Sequence, residues 1–102
     1  MPLVKMDAQK SAGGGGIEST EYTSFTISAG AGLNVPTSKK AKAIAFAYNN
    51  EYIFYAVDGV NNNKLYANNS DNGQTVTFGD NAITSTSGIS GSSRSCIACI
   101  FY

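Results

Sequence analysis

Any chemistry in this chain would have to come from seven carboxylates, two cysteines, six lysines and one arginine, because it contains no histidine. That absence removes the commonest general base and the commonest metal ligand together. The carboxylates, Asp7, Glu18, Glu21, Glu51, Asp58, Asp71 and Asp80, are scattered one at a time. A glycosidase needs two of them about 5–10 Å apart in a cleft, and nothing in their spacing points to such a pair. Asp58-Gly59, Asp71-Asn72-Gly73 and Gly79-Asp80 read as turns, where aspartate helps the chain reverse. Asp71-Asn72-Gly73 has part of the look of a calcium loop, but the acidic density around it is too low for an EF-hand site. Cys96 and Cys99 have the spacing of a redox CxxC, yet they lie in the strand-like run 95–102 rather than at a helix start. Three residues apart on a strand they point to opposite faces, roughly 10 Å apart, beyond the usual disulfide limit of about 7 Å. Two cysteines without histidine do not complete a zinc site, so both are expected to be free thiols. Gly13–Gly16 lacks the preceding strand and the following Lys-Ser/Thr of a phosphate loop. The expectation is a protein with no catalytic residue, no metal ligand and no cofactor.

The elements that carry these residues divide at the four glycines. Before them lies a short arm, and the division expected is an arm over 1–16 with a glycine hinge and one β-domain over 17–102. Consecutive glycines lose the most backbone entropy on ordering and have no side chains to pack. Leu3, Val4 and Met6 in the arm are apolar residues that need something to land on, and they are the candidate partner-contact residues. The apolar stretch ends by Met6, too short for a signal-peptide core, and no window has the roughly 20 apolar residues of a membrane span.

The body shows strand periodicity almost throughout. Ile44, Phe46 and Tyr48 alternate with Ala43, Ala45 and Ala47, a period of two that overrides the helix preference of alanine. Asn49-Asn50-Glu51 then turns into Tyr52–Val57, closed by Asp58-Gly59. Further strands are expected at 22–27, 64–67, 74–78, 81–86 and 95–102, with 28–36 a connection and 68–73 a polar loop. About seven short antiparallel strands with turn signals every eight to twelve residues predict an all-β domain. A β-sandwich or jelly-roll-like body is the first expectation, with a barrel or a trimeric interleaved β-structure as the alternative.

Composition narrows the partners. Charged residues make up 14% of the chain and the net charge is zero, which argues against nucleic acid and against an anionic membrane. Lys39, Lys40 and Lys42 form the only basic cluster, read as starting a strand and discouraging edge pairing. Along Tyr52–Tyr55 both faces are apolar, as in a strand covered on both sides or one at a subunit interface. Asn61, Asn62 and Asn63, with Asn68, Asn69 and Asn72, are candidate ligand loops at one end of the body. Asparagine both donates and accepts, which suits sugar hydroxyls and suits turn formation equally.

The run from Val35 to Phe46 followed by an aromatic hairpin, the run from Thr75 to Ile83, and a final apolar strand ending on tyrosine resemble small β-domains of tailed-phage virion proteins. These are tail-fibre tips, baseplate appendages and capsid decoration proteins, and the resemblance covers roughly residues 20–102. It implies a homo-oligomer, often a trimer, on the surface of a virus particle, held to other virion proteins and able to touch a host-surface glycan. It transfers no individual binding residue. The function expected is therefore a non-enzymatic virion accessory protein tethered by its arm, with a stand-alone carbohydrate-binding module as the alternative.

Overall fold

The computed structural model describes residues 16–48, 52–68, 70–89 and 91–102. Within them lie eight antiparallel strands: β1 (Thr20–Ile27), β2 (Asn34–Pro36), β3 (Ala43–Tyr48), β4 (Tyr52–Val57), β5 (Lys64–Ala67), β6 (Ser70–Phe78), β7 (Ala82–Ser85) and β8 (Arg94–Phe101). They form one continuous order, β1-β8-β3-β4-β5-β6-β7-β2, a nearly closed sheet resembling a barrel. The all-β antiparallel expectation holds. The count rises from about seven to eight because Val35, expected in a connection, pairs with Ile83 and is fully buried.

Period-two alternation places the core. Ile44, Phe46, Phe54, Ala56, Ala98 and Ile100 point inward from the adjacent strands β3, β4 and β8 and meet Ile27, Val35, Leu65, Val76, Phe78 and Ile83 from the others. The Phe46 ring stacks on Phe54 at 5.1 Å between centroids and meets Phe25 edge-on at 5.4 Å, the two arrangements that aromatic quadrupoles favour.

A bulge in β6 curls the sheet. Lys64 opposes Thr75 and Tyr66 opposes Asp71, so Leu65 alone faces residues 72–74. Extra residues on one side bend and twist a strand. Gly73 supplies the left-handed φ of 85°, and its N–H donates to Asp71 Oδ1 at 2.8 Å. The first part of β6 therefore pairs with β5 and the last part with β7. The polar loop expected over 68–73 is thus a correction: Asp71-Asn72-Gly73 bends a strand from inside instead of ending one.

The two ends of the strand order, β1 and β2, face each other across a seam that Tyr102 spans. Its hydroxyl donates to Glu21 Oε1 on β1 at 2.6 Å and accepts from the N–H of Ser38, just past β2, at 3.3 Å. Its backbone is held on both sides, with Glu18 N–H donating to its carbonyl at 2.7 Å and its own N–H donating to Ser19 at 2.9 Å. Further along, Gly32 lies so close to β7 that a Cβ there would sit 2.4 Å from the carbonyl oxygens of Ser85 and Thr86.

Candidate interaction surface

The lysine cluster has a different task from the one expected. β3 lies between β8 and β4 and has no free edge to protect. Lys40 instead pairs with Asp58 at 2.6 Å, Lys39 approaches Glu18 at 3.7 Å and lies 5.8 Å from the centre of the Tyr102 ring, and Lys42 Nζ donates to the Gly16 carbonyl. The cluster fastens the chain around residues 16–18 to the body. The carboxyl of Asp58 is held below its ordinary range by the Lys40 hydrogen bond, with a smaller contribution from Asn63 working against burial.

The candidate asparagines are turn-builders. Asn61, Asn62 and Asn63 take φ of 52°, 57° and 60°, a left-handed turn between β4 and β5. Left-handed residues in succession are costly for most side chains, and asparagine is tolerant of them. Asn63 anchors this turn: its Oδ1 accepts from Gly59 N–H at 2.8 Å, and its Nδ2 donates to Asp58 at 3.0 Å and to the Val76 carbonyl at 3.1 Å. Asn68 exchanges hydrogen bonds with the backbone of Ile53, prolonging the pairing of β4 with β5. Asn72 donates to Gln74 inside the bulge. Asn61–Asn63 and Asn68 sit at opposite ends of β5, so the structure does not gather them into the single loop cluster expected. Leu3, Val4, Met6 and Asn69 lie outside the described residues.

The cysteines lie on opposite faces of β8, as their spacing predicts, and both are free. Cys96 points into the core and Cys99 outward, and burial pushes both thiols up. For Cys99 a hydrogen bond with the Tyr22 side chain works against that rise. Among the described residues no three His, Cys, Asp or Glu side chains are grouped as metal ligation would need. A recess of about 540 Å³ beside β1 and β8 is lined by Ser24, Phe25, Thr26, Ala47, Ser95, Cys96 and Ile97, with no carboxylate or amine among these residues.

The outer face of the sheet is where the molecule departs from a solvated surface. Register aligns outward positions in rows: Thr20, Phe101, Ala43 and Val57; then Tyr22, Cys99, Ala45, Tyr55, Tyr66 and Asp71; then Ser24, Ile97, Ala47 and Ile53. No outward position of β3, β4 or β8 in these rows is charged. An antiparallel sheet with one solvated side ordinarily alternates apolar inside with polar outside. Here Tyr22 is 77% exposed, Ile97 60% and Ile53 51%. The three alanines of β3 form a trough between larger residues on β8 and β4, and around Ala45 and Ala47 it deepens into a hollow of about 140 Å³. Tyr55 and Tyr66 stack at 5.7 Å with nearly parallel rings on the β4–β5 side. Sequence reasoning found the two-sided character of β4. It missed that β8 and β1 extend the same face, because that depends on a pairing between residues some 80 positions apart in the chain.

No family model, curated protein or solved structure matches this chain.

Proposed function

We propose that this chain is a non-enzymatic assembly protein that docks by the outer face of β8, β3 and β4. The setting its sequence resembles is the surface of a phage particle, where residues 1–16 would serve as a tether to other virion proteins. The observation that carries the reading is the apolar, uncharged outer face. An exposed apolar patch of more than a few hundred Å² on a small protein marks an interaction site. At the level of fold, this reading takes the bulge in β6 as the corner between two packed layers, a sandwich left open along the β1–β2 seam. The carbohydrate-binding alternative has less support, because Asn63 and Asn68 have their side-chain groups committed to turn geometry.

Incorporation is the test. Particles purified from the source of this sequence are expected to contain the chain in fixed stoichiometry. A double variant, Ile53→Lys with Ile97→Lys, shown to be folded by circular dichroism, is expected to be missing from them. Particles that take up the variant as fully as the wild type would sink the reading.

A further inference from the structure

Resting on that reading, we propose that the partner covering the outer face is a second copy of this chain, paired across a two-fold axis. The relief of the face is self-complementary. The alanine trough of β3 runs one strand spacing, about 4.8 Å, from the ridge that Ile97 and Cys99 make on β8. A two-fold axis between trough and ridge sends the ridge of each copy into the trough of the other. Such an isologous contact uses the same patch twice and closes on itself.

Electrostatics agrees with this occupant. The outward positions of β8, β3 and β4 carry no charge, so no ion at the centre of the contact is stripped of water, and Lys64 and Asp71 fall at its rim beside Tyr66. A strongly basic or acidic partner would find no counter-charge on those three strands. Area agrees as well. Five strands at about 4.8 Å and some six residues at about 3.3 Å give on the order of 500 Å² per copy. The total of roughly 1,000 Å² is at the lower bound for a specific contact, so pairing is reversible and depends on concentration. The arm is a poorer cover. Its larger apolar side chains, Met1, Leu3, Val4 and Met6, are few for a face of this size, and Gly16, where the arm joins, is held by Lys42 ahead of the start of β1.

The experiment is solution mass of the full chain by light scattering across micromolar to millimolar concentration, combined with the rate at which iodoacetamide alkylates Cys99. The mass is expected to double as concentration rises, and Cys99 labelling to slow in proportion to the paired fraction. Ile97→Lys, a change at an exposed position, is expected to hold the mass at one chain and to keep labelling fast at every concentration. The wild-type labelling profile needs no variant, so a misfolded Ile97→Lys protein would not shelter the proposal. A wild type that stays monomeric overturns it while leaving particle docking standing, provided particles still exclude the Ile53→Lys/Ile97→Lys variant. A threefold mass overturns the two-fold geometry. A dimer untouched by Ile97→Lys, with Cys99 labelling independent of concentration, places pairing on another surface and overturns this proposal, while particle docking is still judged by exclusion of the Ile53→Lys/Ile97→Lys variant.

Discussion

Asp58 accepts hydrogen bonds from Lys40 and Asn63 and so ties the end of β4 to the segment before β3 and to the left-handed asparagine turn. Its pKa is lowered in the folded state, first by Lys40. A depressed carboxyl contributes stability that is present above its unfolded pKa, about 3.9, and is lost as pH falls through the lower folded value. The pair is partly exposed, with 37% of the Asp58 side chain open to solvent, so its worth is that of a surface pair, about 0.2–1 kcal/mol. Asp58→Asn is expected to lower the urea midpoint at neutral pH. The difference from wild type is expected to vanish in acid below the folded pKa; a difference that grew in acid would contradict this account. Phe46 tests the interior. Fully buried and in contact with two other rings, its replacement by alanine is expected to cost about 3–5 kcal/mol. A denaturant midpoint equal to that of wild type would show that this side of β3 is not core. Asp58-Gly59 was legible as a turn from the dipeptide alone. Its lysine partner was not, because 18 residues separate them and only the folded sheet brings them together.

At the scale of elements, period-two alternation located β3 and β4 to within two residues, because each strand has one continuous apolar face and the period needs no knowledge of neighbours. Two elements were misread for the same reason. Asp71-Asn72-Gly73 is turn chemistry in isolation, and only the pairing of β6 with β5 and then β7 shows it acting as a bulge. The lysine cluster looked like edge protection, and only the strand order shows that β3 has no edge. The candidate surface was half legible: the face of β4 could be read, its extension across β8 and β1 could not. The seam clasp was hidden as well, since Tyr102 joins Glu21 and Ser38 from distant parts of the chain. Tyr102→Phe keeps the buried ring and removes the hydroxyl, leaving Ser38 N–H and Glu21 without that partner. Both partners are exposed and can turn to water, so the expected loss is about 0.5–1.5 kcal/mol. Amide exchange measured on the same variant should speed up at Ser38 before it speeds up in β3. Uniform acceleration would mean that the seam opens only with the whole sheet.

For the molecule as a whole, the sheet is dominated by pairings distant in sequence, the extreme being Thr20 with Phe101. All-β domains of this kind fold in milliseconds to seconds because loop closure must precede the contacts that reward it. Stopped-flow refolding by tyrosine fluorescence is expected to fall in that window, and a microsecond phase carrying the full amplitude would refute it. The place of β8 sets the order of events during synthesis. It is the last of the eight strands in chain order, yet it sits inside the folded sheet, between β1 and β3. At roughly 5–20 residues per second, a nascent chain has β1 and β3 for several seconds before the strand that joins them exists. During that time Phe25, Ile44 and Phe46 lack their β8 neighbours. Until β8 emerges, β1 has no strand to pair with and β3 keeps one edge open. A message truncated before codon 94 would yield a chain suited to the holding chaperones rather than a smaller version of the fold.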